Sequence, residues 1–174
     1  WKCYKWCIFW NKTHFMEYLI TIKDIEAAPQ GSKKFVGKNK KGQPMMIDTC
    51  NRLKSWRDQV GVMAKLCCVD GIIEEPVSIE VTFYFKRPKL HYDSKNILKQ
   101  DAPTYVTNRL KGDIDKLLRG LLDGLTGSAF ADDSQVVKVF AVKKYCDLKS
   151  KIGATIKIKT INEEENLICG LSRM

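Results

Sequence analysis

Most of the chain after its first fifteen residues shows regular patterns of hydrophobic and polar positions. Runs rich in β-branched and aromatic residues, several of them alternating with polar residues, indicate strands. The predicted strands cover residues 17–25, 77–85, 135–142 and 154–161. A turn within residues 150–153 is expected to join the last two strands as a hairpin.

Apolar residues at helical spacing predict two helices between these strands. The first begins after Thr49 or Asn51, either of which is a suitable cap, and ends near Val69. The second runs from Asp113 to about Leu125. The resulting order, β-α-β-α-β-β, predicts a single α+β (mixed α/β) domain with one mixed β-sheet and packed helices.

Two segments lack any periodicity. Residues 29–44 are rich in Lys, Gly and Pro, which predicts a mobile basic loop. Residues 87–112 form a second irregular stretch. A loop of that length inside a compact domain is expected to be either functional or disordered.

The two ends of the chain differ from its middle. Residues 1–15 combine aromatic residues and cysteines without a Met at the start, and we expect them to be a non-native or disordered extension, with the native start at Met16. The domain is expected to end at Ile161, and residues 162–174 are expected to form a flexible tail.

Composition limits the classes of protein that the chain can represent. With 174 residues and 44% hydrophobic residues, it can build one packed core. Thirty Lys and Arg against 20 Asp and Glu give a net charge of +10, which favours a polyanionic partner: nucleic acid or an acidic membrane surface. The apolar runs are too short to cross a bilayer. Seven cysteines without a CxxC pair argue against zinc and favour a reducing compartment.

Two acidic pairs stand out in this basic chain: Asp113 with Asp115, and Asp132 with Asp133. Either pair has an ordinary explanation, as a helix cap or as part of a turn. If the chain reverses after Leu125, however, the four carboxylates can meet, and they would then repel one another unless a divalent cation bound between them. Oxygen ligands select Mg²⁺ or Mn²⁺, which suits phosphodiester hydrolysis.

Arg119 follows Asp115 by one helical turn on the same side of the predicted helix. A cation at that position is suited to hold a scissile phosphate or to offset charge in the transition state. The alternative is an ordinary ion pair with Asp123 or Asp115.

Residues 113–127, followed by 130–137, resemble the signature of RusA-like Holliday junction resolvases. That signature is roughly D-x-D-N-L-x-K, then D-A-L, then D-D-x-Q-V, and its order and spacing agree with this chain. Residues 28–33 and 85–89 are similar to flanking segments of phage-borne members. The resemblance covers roughly residues 16–161.

This resemblance implies a homodimeric, Mg²⁺-dependent endonuclease, with Mn²⁺ as a substitute, that binds branched DNA, makes paired nicks in four-way junctions, and acts in DNA recombination and repair. Asp113, Asp115 and Asp133 would be the essential carboxylates, with Asp132 as a further metal ligand, and the family's catalytic Lys falls on Arg119. Lys116 stands where the family has Asn. No membrane and no small-molecule cofactor are implied, and the expected location is the cytoplasm of a bacterial host, with a phage or prophage origin.

The basic residues of the irregular segments are candidates for DNA phosphate contacts, although a solvated charged loop explains any single one of them. The candidates are Lys33, Lys34, Lys38, Lys40, Lys41, Arg87, Lys89, Lys95, Lys99 and Lys116. Two other functions stay open at this point: a non-catalytic basic DNA-binding protein, and a metal-dependent nuclease that acts on RNA or on ordinary duplex.

Overall fold

A four-stranded mixed sheet forms the centre of the fold. The computed structural model describes residues 16–31, 33–48, 50–146 and 152–161. The sheet has the order β1, β6, β4, β5, and its strands are β1 (Glu17–Lys23), β4 (Val77–Phe85), β5 (Val136–Tyr145) and β6 (Gly153–Thr160). β6 pairs antiparallel with β1 and β4, whereas β4 and β5 run parallel. The predicted α+β class with one mixed sheet is confirmed.

Both helices cover one face of this sheet. They are α1 (Leu53–Cys67), which contacts β1, and α2 (Ile114–Leu125), which contacts β5. The leucines of α2 at helical spacing, Leu117, Leu121 and Leu125, are fully buried. Burial of a leucine side chain stabilises the fold by roughly 1.5–3 kcal/mol, so these residues fix α2 on the sheet.

The two helices touch each other directly at a glycine. A Cβ atom at Gly124 of α2 would lie 2.8 Å from Cβ of Val60 on α1, closer than real Cβ contacts allow. The absence of a side chain at Gly124 therefore lets the helices approach at this point. This contact fixes α2 against α1 as well as against the sheet.

The start of α1 differs from the prediction. The helix begins at Leu53, with Arg52 in the N-cap position and no side-chain hydrogen bond to the first turn. Asn51 therefore does not cap α1, and Thr49 lies outside the described residues. The first turn also contains no acidic residue.

The basic segment near residues 29–44 contains regular structure that the prediction of a mobile loop missed. β2 (Lys33–Lys38) and β3 (Pro44–Asp48) pair antiparallel as a separate two-stranded hairpin. Its turn is closed by Asn39, whose Oδ1 accepts hydrogen bonds from the backbone N–H groups of Lys41 and Gln43. The strand pairing was not predicted because the segment is rich in Lys, Gly and Pro, which are depleted in strands.

The long segment between β4 and α2 is held against the edge strand β5. Tyr105 forms an isolated antiparallel bridge with Lys144, and the N–H of Tyr145 donates to the carbonyl of Thr104 at 3.0 Å. Val106 is 3% exposed and packs into the core. Backbone pairing with β5 thus orders the second half of this segment, directly before the acidic start of α2.

Several predictions about the chain ends lie outside the described part. Residues 1–15, 147–151 and 162–174 are not described, so the domain limits at Met16 and Ile161 stay predictions. The predicted hairpin of the last two strands was wrong, because β6 pairs with β1 and β4 and is not a neighbour of β5. Within the described ranges, Cys50, Cys67, Cys68 and Cys146 form no disulfide. None of the described helices is long and apolar enough to cross a membrane.

Candidate metal and nucleic-acid site

The acidic start of α2 lies where the chain turns out of the long segment into the helix. Asp113 has extended backbone angles and occupies the N-cap position, yet its side chain makes no capping hydrogen bond. Its Oδ2 instead accepts a hydrogen bond from Nζ of Lys116 at 2.6 Å. The capping position expected for Asp113 is confirmed, but its carboxylate faces Lys116 and solvent rather than the helix N–H groups.

The charge state of Asp113 follows from its basic neighbours. The hydrogen bond and charge of Lys116 hold the pKa of Asp113 below its ordinary value, and the charges of Lys143 and Arg109 lower it further. The same hydrogen bond raises the pKa of Lys116. Asp113 is therefore a carboxylate at neutral pH and presents oxygen ligands of the kind that Mg²⁺ prefers.

Asp115 and Arg119 lie on the surface of α2, one turn apart. Neither side chain makes a hydrogen bond or ion pair with any residue that the structure describes. The ion pair with Asp123 that we considered for Arg119 does not form, because the carboxylate of Asp123 pairs with Arg57 of α1. The guanidinium of Arg119 is thus left on the same surface as the Asp115 carboxylate.

Asp132 has a structural role within its own turn. It caps the 3-10 turn Asp133–Gln135 by accepting a hydrogen bond from the N–H of Ser134 at 2.9 Å, while Oε1 of Gln135 accepts from the N–H of Asp132 at 2.8 Å. The hydrogen bonds from Ser134 also lower the pKa of Asp132. The turn is anchored to the buried Ile73, in the segment between α1 and β4, because Nε2 of Gln135 donates to the carbonyl of Ile73 at 3.0 Å. Asp133 follows the cap and is exposed.

The two acidic pairs lie at opposite ends of α2. Gly112, before the helix, accepts a hydrogen bond from Lys143 near the end of β5, whereas Asp133 precedes the start of β5. The 12 residues of α2 span about 18 Å at the rise of an α-helix. The chain does reverse after Leu125, but the reversal makes β5 antiparallel to α2 and carries Asp133 away from Asp113. Our expectation that four carboxylates meet was therefore wrong for a single chain.

The donor chemistry at the start of α2 still suits a hard divalent cation. Among the described residues no group of three or more His, Cys, Asp or Glu side chains is arranged to hold a metal. Mg²⁺, however, usually takes only one or two carboxylates from a protein and completes its shell with water and phosphate oxygens. Asp113 and Asp115 match that donor count, with all-oxygen ligands on an exposed surface.

Sequence reasoning missed the residues that hold the start of α2 in place. Glu26 accepts hydrogen bonds from Nζ of Lys111 at 2.8 and 2.9 Å, and from Arg52 at 3.2 Å. Lys143 donates to the carbonyl of Gly112 at 2.8 Å. These partners come from β5, from the start of α1 and from the segment after β1, so no local sequence pattern could have paired them.

Comparison with known proteins identifies the family of the chain. A family model described as "Endodeoxyribonuclease RusA" matches residues 24–159, which is most of the chain. The chain belongs to the RusA endodeoxyribonuclease family. It is also similar to the uncharacterized protein YqaN of Bacillus subtilis (strain 168), with 29% identity over 111 residues that cover 64% of this chain and 78% of that protein. Membership in the RusA family implies an endonuclease that acts on Holliday junctions.

In this RusA-family protein, six of the exposed lysines that were candidates for phosphate contacts form two groups. Lys38, Lys40 and Lys41 lie on the tip of the hairpin formed by β2 and β3. Lys33 and Lys34 belong to the same hairpin, although their side chains are not described. A second exposed group comprises Lys89, Lys95 and Lys99.

Arg87 differs from the other basic candidates of this RusA-family chain, because it is buried. It is 7% exposed, its Nη1 donates to the carbonyl of Pro103 at 2.7 Å, and its guanidinium lies 5.3 Å from the ring centre of Tyr145. These contacts join the start of the long segment to Pro103 within it and to Tyr145 of β5. Arg87 therefore has a structural role in this fold, and its burial argues against the phosphate contact expected of it.

Proposed function

We propose that this RusA-family protein is a Mg²⁺-dependent, structure-selective endonuclease that binds and nicks four-way DNA junctions in recombination and repair. The observation that carries the proposal is the exposed surface at the start of α2. It presents the ionised Asp113, together with Asp115, beside Arg119, whose guanidinium makes no ion pair with any described residue. That combination is suited to hold a cation and a phosphate together.

The chain's own residues divide into two roles under this proposal. Asp113 and Asp115 would hold Mg²⁺, or Mn²⁺ in its place, and Arg119 would bind the scissile phosphate. A divalent cation bound there lowers the pKa of a coordinated water and stabilises negative charge on the phosphorane and the leaving oxygen. Arg119 acts through its charge alone, because the pKa of a guanidinium is too high for it to donate a proton.

DNA binding would depend on the two exposed basic surfaces. Phosphate contacts by Lys38, Lys40 and Lys41 on the hairpin, and by the exposed lysines at positions 89, 95 and 99, do not depend on base sequence and weaken steeply with salt. Such contacts suit an enzyme that recognises the shape of a junction. The net charge of +10 supports this distribution of roles.

A homodimer explains how Asp133 takes part. Asp115 lies in the first turn of α2 and Asp133 lies beyond its far end, and the 12 residues of the helix span about 18 Å, so one chain does not supply both to one cation. In a two-fold dimer, Asp133 of a second copy would reach the start of α2, and each dimer would carry two such sites. Two sites related by two-fold symmetry are also what paired nicks in a junction require.

Asp132 would support this site without binding the cation. Its carboxylate already caps the turn that carries Asp133, and its role is then to fix that turn.

The expected location is the bacterial cytoplasm, and the expected origin is a phage or prophage. Both expectations are supported by the resemblance alone.

A substrate panel tests the proposal against its alternatives. The purified protein is incubated with a labelled four-way junction, a linear duplex of the same sequence and a matched RNA, with MgCl₂ or with EDTA. We expect cleavage of the junction alone, and only with MgCl₂. Cleavage of duplex or RNA would support a metal-dependent nuclease of other specificity, and binding without any cleavage would support a non-catalytic DNA-binding protein.

A further inference from the structure

A lysine in the edge strand β5 reaches the residue that precedes the acidic start of α2. Nζ of Lys143 donates a hydrogen bond to the carbonyl of Gly112 at 2.8 Å, across 31 positions of the sequence. The side chain of Lys143 is partly buried on the helix-covered side of the strand. The carbonyl that it binds belongs to the peptide that leads into Asp113.

The backbone at Gly112 is also constrained by Pro29. Its φ of +84° is one that glycine adopts without strain, and a Cβ atom there would lie 2.6 Å from Cβ of Pro29. The N–H of Gln30 donates to the carbonyl of Lys116 at 2.9 Å, within the first turn of α2. Residues 29–30 and Lys143 thus all contact the start of the helix.

A charged donor is a strong partner for a backbone carbonyl, especially where the bond is shielded from solvent. Among the hydrogen bonds described at the start of α2, the bond from Lys143 is the one that joins Gly112 to the central sheet through a side chain. Without this hydrogen bond, Gly112 would keep its contact with Pro29 but lose its side-chain link to β5. The direction in which Asp113 and Asp115 leave the helix start depends on that tie.

We propose that Lys143 is a positioning residue, which fixes the Gly112 peptide so that Asp113 and Asp115 face one cation. The proposal rests on the function proposed above for the start of α2. Lys143 is not assigned a contact with substrate, because its amine is already engaged with Gly112. This role separates Lys143 from the exposed lysines that are proposed to bind phosphates.

The test uses two variants of Lys143 and one matched control. Lys143→Met keeps the length of the side chain and removes the donor, whereas Lys143→Arg keeps a charged donor. Lys138→Met is the control, because Lys138 is an exposed residue of the same strand on the opposite face and its loss changes the net charge equally. Each protein is measured by amide hydrogen exchange over residues 109–119, by Mn²⁺ binding without DNA, and by junction binding and single-turnover cleavage.

For Lys143→Met we expect faster exchange at the start of α2 and a loss of about 10–100-fold in Mn²⁺ affinity and in the cleavage rate, as for other residues that orient metal ligands. Junction binding should stay within about threefold, because binding depends mainly on phosphate contacts made elsewhere. Lys143→Arg should recover most of the Mn²⁺ affinity, and Lys138→Met should behave as the wild type.

Three results would overturn the proposal. The first is exchange and Mn²⁺ binding in Lys143→Met that equal those of Lys138→Met. The second is a loss of junction binding as large as the loss of cleavage, which would make Lys143 a DNA contact. The third is a folded Lys143→Arg that fails to bind Mn²⁺, and this result decides the matter even if Lys143→Met does not fold. The proposed function and the positioning role can be distinguished. If the wild-type protein cleaves no junction, the proposed function is contradicted. If Lys143→Met in the same experiments still exchanges faster at the helix start and binds Mn²⁺ more weakly, the positioning role is supported.

Discussion

The carboxylate of Asp123 pairs with the guanidinium of Arg57, across the contact between α1 and α2. Asp123 is the acidic residue that lies one turn after Arg119 on α2, and its carboxylate is engaged by this ion pair with Arg57. Arg119 therefore remains exposed and makes no ion pair within the described part of the chain. A guanidinium exposed on the surface beside Asp115 is suited to bind a phosphate.

Substitution of Arg119 tests whether its charge acts in the reaction. Arg119→Ala should lower the single-turnover cleavage rate by about 100-fold, typical for the loss of one group that stabilises transition-state charge. Arg119→Lys should stay within a few-fold of the wild type, because it restores the residue of the family signature. A variant Arg119→Lys as slow as Arg119→Ala would show that the planar guanidinium, rather than its charge, is needed.

Lys116 competes with a cation for Asp113. Its Nζ lies 2.6 Å from Oδ2 of Asp113, so a bound cation must displace or share this contact. Lys116→Asn, which restores the family residue, should lower the Mg²⁺ concentration needed for half-maximal cleavage by several-fold. Mg²⁺ titrations of the variant and the wild type give the comparison, with Lys65→Asn on the exposed side of α1 as the control. An unchanged or raised requirement for Mg²⁺ would argue that Asp113 does not bind the cation.

The opposite positions of Asp115 and Asp133 along α2 predict complementation between two inactive variants. Asp115→Asn and Asp133→Asn should each abolish cleavage when alone. In a mixed dimer, one site combines the intact Asp115 of one copy with the intact Asp133 of the other, so unfolding and refolding the two variants together should restore about a quarter of wild-type sites. A mixture that stays inactive, although mass spectrometry detects mixed dimers, would exclude a site shared between copies.

The exposed lysines of the long segment should control the salt dependence of junction binding. Lys95→Ala combined with Lys99→Ala should reduce the slope of log affinity against log salt by about 0.9 for each DNA phosphate that the variant no longer neutralises. Lys54→Ala combined with Lys65→Ala, both exposed on α1, should leave the slope unchanged. Equal slopes for the two double variants would mean that Lys95 and Lys99 are only solvated charges.

Much of the fold was predictable because the patterns that specify it are local. The alternation of buried and exposed residues in β4 and the leucines of α2 at helical spacing gave correct elements, with ends within a few residues. The hairpin of β2 and β3 was missed because its residues are poor strand formers, and its pairing depends on a turn closed by Asn39. The start of α1 was misplaced because Arg52 occupies the cap position without a side-chain bond.

The candidate site was predictable in its residues but not in its arrangement. Spacing indicated that Asp115 and Arg119 share one side of a helix, which the structure supports. It did not indicate which end of α2 the next strand approaches, so the meeting of all four carboxylates was wrong. The burial of Arg87 and the reach of Lys143 to Gly112 depend on contacts between distant segments, which a single sequence does not encode locally.

The most direct test of the central claim, that the acidic start of α2 is the catalytic metal site, compares Asp115→Asn with the wild type on one labelled four-way junction. Binding is measured with EDTA and cleavage with MgCl₂. We predict that Asp115→Asn binds the junction as tightly as the wild type or more tightly, because it removes negative charge near phosphate, and that it makes no detectable nicks. Cleavage at the wild-type rate, or a loss of binding as large as the loss of cleavage, would contradict the account.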